Sequence, residues 1–184
     1  MLAQTLALAL SYVGPLNTEL GLQFARVPKG FVLDHTRSQI GSGQASFESA
    51  RAAFHAWKMF DLGWVQVLNP QARIAVGEII AVQAKALGLW SVNLSRILYV
   101  IDEPLCFGYG YGTTPMHIER GEERFLLEFD PTTGSVYYDL LAVSQPANFL
   151  ARLAYPFTRM CQKQFARESH RRMALGLCMH QRND

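Results

Sequence analysis

Between residues 117 and 123 the chain carries one histidine and three glutamates, His117, Glu119, Glu122 and Glu123, followed directly by Arg124. A histidine beside carboxylates can bind a divalent metal, or act as a base with an orienting acid. Spacing argues against the metal. The segment HIERGEE lacks the helical repeat that sets two imidazoles on one ion, and no second histidine or cysteine is near in sequence. Pro115 and Gly121 make residues 115–121 read as a loop, with a strand resuming at Glu122. Alternation then places Glu122 and Arg124 on one strand face, and Glu123, Phe125, Leu127 and Phe129 on the other. Glu123 falls on the apolar face, where it needs a partner or has its pKa raised by desolvation. Arg96, a lone charge within SVNLSRILYVID, is the candidate partner. A buried ion pair is the simpler expectation. The catalytic alternative sets a carboxyl at Glu123 or Glu122 to acid–base work, assisted by His117 or Tyr111.

Just upstream, FGYGYG alternates aromatic and glycine strictly. In an extended strand Phe107, Tyr109 and Tyr111 share one face, and Gly108, Gly110 and Gly112 the other. Three glycines in register suggest that something approaches that backbone closely, or that the strand needs curvature. Leaving the aromatics in water would forfeit roughly 1.5–3 kcal/mol of burial each. They are therefore expected inward, as the wall of a pocket. Tyr138, Trp64, Asn93 and Ser95 are further candidates to border such a pocket, which is usually apolar with a few polar points. The tryptophans Trp57, Trp64 and Trp90 are expected mainly in the core, and His35, His55, His170 and His180 on the surface.

These residues must be positioned by a chain of 184 residues, long enough to bury a core without disulfides or metal. Apolar residues make up 49% and charged residues 17%, a globular balance. A net charge of +2 does not point to nucleic acid. The basic run KQFARESHRRM, with Lys163, Arg167, Arg171 and Arg172, reads as a solvated helix end and leaves room for weak contact with a membrane surface. No apolar run approaches the roughly 20 residues that span a bilayer. The odd cysteine count (Cys106, Cys161, Cys178) without metal-ligand spacing favours a reducing cytosol, and no cofactor is indicated. GSG at 41–43 lacks the lysine of a phosphate loop.

One domain over 1–184 is expected, with a leader over 1–28 and a core over 30–175. The opening MLAQTLALALSYVG lacks a basic n-region and reads as a helical or loosely ordered segment packed on the domain. GFVLDHTRSQIGSG reads as a strand, and ASFESARAAFHAWKMF as a helix with Ser46 as its N-cap. Six further strands follow, separated by NPQA, LGLW, EP, PMHIERG and PTTG, and their short links call for antiparallel pairing. After Pro146 a helix is expected, with Phe149, Leu150, Leu153, Phe157, Met160, Cys161 and Gln164 as its apolar stripe and a kink at Pro156. A curved antiparallel sheet wrapped around one long C-terminal helix is the helix-grip fold, an α+β class shared by START domains and the birch-pollen-allergen family. An α+β sandwich without a cavity is the alternative.

The segments GSGQASFESARAAFHAWKMFDLGWV, FGYGYGTTPMHIERGEERFLLE and VYYDLLAVSQPANFLARLAYPFTRMCQKQFAR resemble the hallmark stretches of a domain-of-unknown-function family, number nineteen-ninety. The resemblance runs from about Gly30 to about Met173. It departs mildly at Thr114, where leucine is usual before the proline, and at Gly110, where alanine is common. It implies the helix-grip architecture and carries no reaction with it. The functional expectation is a binding module for an apolar or amphipathic small molecule, held between sheet and terminal helix near Tyr109, Tyr111, Glu123, Arg96, Asn93, Trp64 and Tyr138. A small-molecule enzyme on the same scaffold and a protein-interaction module are the alternatives.

Overall fold

The computed structural model describes residues 9–86, 88–147 and 155–180. Seven strands form one antiparallel sheet: β1 Val32–Ser42, β2 Val65–Val67, β3 Ile79–Ala86, β4 Leu89–Glu103, β5 Cys106–Thr113, β6 Glu119–Phe129 and β7 Ser135–Pro146. Their spatial order is β1-β7-β6-β5-β4-β3-β2. Consecutive strands from β2 to β7 pair as hairpins, as short links require. β1 alone pairs out of sequence, with β7. Bulges at Ile40 in β1 and Leu98 in β4 add one residue each against the facing strand and bend the sheet. The sheet curls around the C-terminal helix α2, Tyr155–His180, with helix α1, Gln44–His55, packed against both.

The inner face carries the apolar half of each alternation. Phe107, Tyr109, Tyr111, Phe125, Leu127 and Tyr138 are all buried there. Phe54 of α1 meets Phe107, Tyr109 and Tyr138 edge-on, with centroids 5.7–6.1 Å apart. Phe60 bridges Phe125 and Phe165 of α2. This aromatic cluster fills the α1 end of the space between sheet and helix.

Glycine and aromatic do take opposite faces of β5, and the outer face shows why. A Cβ on Gly110 would lie 2.1 Å from the Tyr99 ring, and one on Gly112 would lie 2.4 Å from the Tyr12 hydroxyl. The glycine row is the bed for Tyr99 and for the N-terminal segment that crosses the convex side of the sheet. That segment holds a short 3-10 turn, Thr18–Leu20, and no α-helix among its described residues. It is pinned by the buried Glu122, whose carboxylate accepts from the Leu16 amide (3.0 Å), the Tyr12 hydroxyl (2.9 Å) and Thr18 Oγ1 (2.9 Å).

Several element boundaries differ from expectation. α1 is capped by Gly43, not Ser46, whose hydroxyl instead donates back to the Ser42 carbonyl at 2.6 Å. It stops at His55 because Trp57 adopts a left-handed φ of 55°, and a 3-10 turn, Lys58–Phe60, follows. β6 begins at Glu119 rather than Glu122, so the last three residues of the expected loop are strand. Leu89 and Trp90 belong to β4, and Trp90 is 48% exposed rather than core. Along α2, Met160 is exposed, while Phe165 packs against the core and Met173 and Ser169 are buried. Phe149, Leu150 and Leu153 lie outside the described residues. Pro156 falls in the first described turn of α2, and the kink expected there lies at the edge of what is described.

Candidate functional site

Beyond the aromatic cluster, the space between sheet and α2 stays open as a cavity of about 540 Å³. Its floor is the inner face of β1, β5, β6 and β7, and its roof is Thr158, Cys161, Gln162, Phe165 and Ala166 of α2. Trp64, Val65, Val82 and Ala84 close it on the β2–β3 side. Most of this wall is apolar, and its acids, Asp34, Glu119 and Glu123, gather with His117 toward one end. The indole of Trp64 is tied across to α2 by donating to Glu168 Oε2 at 2.6 Å.

Tyr111 and Glu123 stand directly opposite each other on β5 and β6. The cross-strand register therefore brings the Tyr111 hydroxyl onto Glu123 Oε2, to which it donates at 2.5 Å. Burial dominates the ionisation of Glu123 and pushes its carboxyl up to about 7, against the lowering effect of the Tyr111 hydrogen bond. Glu119 lies four residues earlier on the same strand and so on the same face. It too is pushed up to about 7, first by burial, with a partial offset from Gln162 Nε2, which donates to Glu119 Oε1 at 2.5 Å. Gln162 in turn accepts from Arg159 Nη1 at 2.8 Å, and Arg159 grips the Asp34 carboxylate with both terminal nitrogens. The chain Asp34–Arg159–Gln162–Glu119 thus ties β1, α2 and β6 together at the polar end.

His117 lines the same cavity, and burial depresses its imidazole to about 4. Its Nδ1 accepts the Glu119 amide at 3.0 Å, so in the neutral ring the proton sits on Nε2. The imidazole is consequently a neutral hydrogen-bonding group near pH 7, not a charged one. The two carboxyls can give up or take a proton at that pH. Among the described residues, no group of three or more His, Cys, Asp or Glu side chains is arranged to hold a metal ion.

Of the residues singled out from sequence, the structure places Tyr111, Glu123, His117 and Trp64 in the cavity wall. Tyr109 and Tyr138 are fully buried in the aromatic cluster beside it, where Tyr138 shares a hydrogen bond with Ser169 at 2.9 Å. Asn93 lies under the 114–118 turn, accepting from the Ile118 amide at 3.3 Å, outside the wall. Arg96 is not the partner of Glu123. It stands opposite Gly112 on the convex face, on the side of Tyr12, because β4 alternates that way. Glu122 also points to the convex face and holds the N-terminal segment, which removes it as a cavity acid. His35 and His170 are not free surface groups: His35 Nε2 meets Asp139 at 2.6 Å, and His170 is held by Thr36 and Ser38.

Sequence reading noted Glu119 in the His/Glu cluster but set it in the loop and kept Glu123, Glu122 and His117 as the candidates, and it passed over Asp34, Arg159 and Gln162. For Glu119 a signal existed, since extending the alternation back from Glu123 through Gly121 reaches it. For the other three, only the tertiary fold brings them together.

A raised carboxyl pKa ties stability to pH. Glu119 and Glu123 hold their protons to about 7 when folded and release them near 4.5 when unfolded, so their contribution is full below 4.5 and is lost as pH rises through 7. The expected outcome is a thermal midpoint, relative to a Glu119→Gln/Glu123→Gln variant, that declines between pH 5 and pH 7.5. A difference that is flat or rises over this interval would show that the acids ionise normally.

Three comparisons place the chain among known proteins. It is 39% identical over 154 residues to a UPF0548 protein of Dictyostelium discoideum, covering 78% of this chain and 71% of the relative. It is 36% identical over 146 residues to the UPF0548 protein At2g17695 of Arabidopsis thaliana, covering 76% and 70%. Among solved structures, Ara h 8.0201 superposes with a TM-score of 0.53 at 14% identity, over 82% of this chain and 99% of that one. A Thalictrum norcoclaurine synthase point mutant, in complex with a transition-state analogue, superposes at 0.52 with 9% identity, over 82% and 96%. These establish the birch-pollen-allergen-like helix-grip fold. A family model described as domain of unknown function (DUF1990) matches residues 17–172, and the chain belongs to that family.

Proposed function

We propose that the protein is a binding module for an apolar or amphipathic small molecule, taken up between the curled sheet and α2. The observation that carries this reading is the cavity of about 540 Å³, apolar over most of its wall and polar at one end, where the rest of the interior is tightly filled by aromatics. Trp64, Phe165 and Leu140 offer apolar contact, and Tyr111, Glu123, Glu119 and His117 offer orientation. Proteins of the same fold lend support: the norcoclaurine synthase structure holds a transition-state analogue. Native mass spectrometry of freshly purified protein tests the reading. The expected result is a second species heavier by one small molecule, released on denaturation. Protein that carries no adduct, and that takes up no hydrophobic dye after delipidation, would count against it.

The second reading is an enzyme on the same scaffold. Two carboxyls near 7 in a largely apolar cavity suit proton transfer at neutral pH. Tyr111 would orient Glu123, and Glu119 rather than Glu122 would be the second acid. Incubating the protein with its extracted ligand and following the ligand's mass and isomer composition separates the two readings. An unchanged ligand favours binding alone.

A further inference from the structure

The polar end of the cavity has an uneven charge inventory. Asp34 faces it from β1, Glu119 and Glu123 from β6, and the Tyr111 phenol from β5. From α2 come Arg159, beside the wall, and Lys163 and Arg167, both exposed at the rim. β7 contributes Leu140, Ala142 and Ser144, none of which titrates. His117 and His170 are held toward the neutral form by burial, and the Cys161 thiol is pushed up. Arg159, the one cation among the described residues here that is not at the exposed rim, is already engaged by Asp34. Among the described residues the direct side-chain partners of Glu119 and Glu123 are an amide and a phenol, donors that satisfy an oxygen each and carry no charge, and Arg159 acts on Glu119 only at a distance. In the neighbouring aromatic cluster, outside the cavity wall, the fully buried Tyr109 hydroxyl has no hydrogen-bond partner among the described residues.

We propose that this end of the cavity selects an amphipathic ligand bearing a protonated amine, its ammonium against Glu123 and Glu119 and its apolar part along Trp64, Leu140 and Phe165. The inference rests on the reading of the cavity as a ligand site and names the ligand's chemical class. An ammonium supplies the counter-charge that two carboxyls in an apolar enclosure lack. An anionic amphiphile would instead add a further unpaired negative charge. Lys163 and Arg167 do not reverse the balance, because solvated rim charges are screened over about 8–10 Å at ordinary salt. Where the acid still holds its proton, below about pH 7, seating the amine drives that proton off to solvent.

Three probes of one chain length separate the headgroup from the chain: decylamine, decanol and decanoate. At roughly 30 Å³ per non-hydrogen atom, taking the share of a water molecule as the yardstick, the cavity holds such a molecule with room to spare. Decylamine stays cationic from pH 6 to pH 8, its basicity being close to the lysine value of about 10.4. Isothermal titration at pH 8 is expected to show decylamine binding at least about tenfold more tightly than decanol or decanoate. From pH 6 to pH 8 its affinity rises about tenfold, as a carboxyl titrating near 7 goes from mostly protonated to mostly ionised, while that for decanol stays level. The near-isosteric Glu119→Gln/Glu123→Gln variant keeps decanol binding and loses the preference for the amine. Decanol or decanoate binding as tightly as decylamine, or amine affinity that does not change with pH, overturns the headgroup assignment and leaves the cavity reading standing. Failure of all three probes overturns both.

Discussion

Replacing Asp139 by alanine is expected to lower the stability of the protein by about 3–5 kcal/mol, the usual cost of stripping one partner from a buried ion pair. Asp139 and Arg124 are both nearly inaccessible, 4% and 7% exposed, on the convex face of β7 and β6. Arg124 donates to Asp139 Oδ1 at 2.8 Å, and His35 meets Oδ2 at 2.6 Å. The N-terminal segment covers the pair, with Gly21 close against the guanidinium. Without Asp139 the Arg124 charge stays buried without compensation, and the segment over it is expected to loosen. Chemical denaturation measures the loss, and limited proteolysis within residues 10–26 reports the loosening. An Arg124→Met/Asp139→Leu double variant should lose less than the single change, because it removes both charges together. Equal loss in the two variants would mean that packing, not charge, dominates here.

Filling the cavity is expected to have the largest effect on function. Ala166 lines the roof on α2, half-buried and opposite the open part of the sheet. Ala166→Phe puts a ring into the space a ligand would use, without removing any hydrogen bond. Loss of the ligand adduct in native mass spectra is expected, with decylamine affinity reduced more than tenfold and the thermal midpoint held or raised. A folded Ala166→Phe protein that keeps its adduct would place the ligand elsewhere.

The element order was legible in the sequence because each strand is bounded by turn residues and each hairpin link is short. The inward aromatics of β5 were legible for the same reason that the glycines were not. Alternation fixes which residues share a face, whereas what presses on the glycines comes from Tyr99, across a bulge, and from a segment about 100 residues earlier. Arg96 illustrates the limit. Its charge within an apolar strand suggested a partner for Glu123, but register sets it on the opposite side of the sheet.

By itself the sequence determined that Glu123 shares a face with Phe125 and Leu127, that Tyr111 lies with the inward aromatics, and that the strands pair antiparallel. These follow from local periodicity and link length, which depend on neighbours along the chain. Only the tertiary structure decided that Glu123 is held by Tyr111, that Gln162 of α2 reaches Glu119, and that Arg159 is taken up by Asp34. Those outcomes depend on strand register, on a bulge and on where α2 lies across the sheet. Each of these is set by packing between residues far apart in sequence, and none leaves a pattern in the residues nearby.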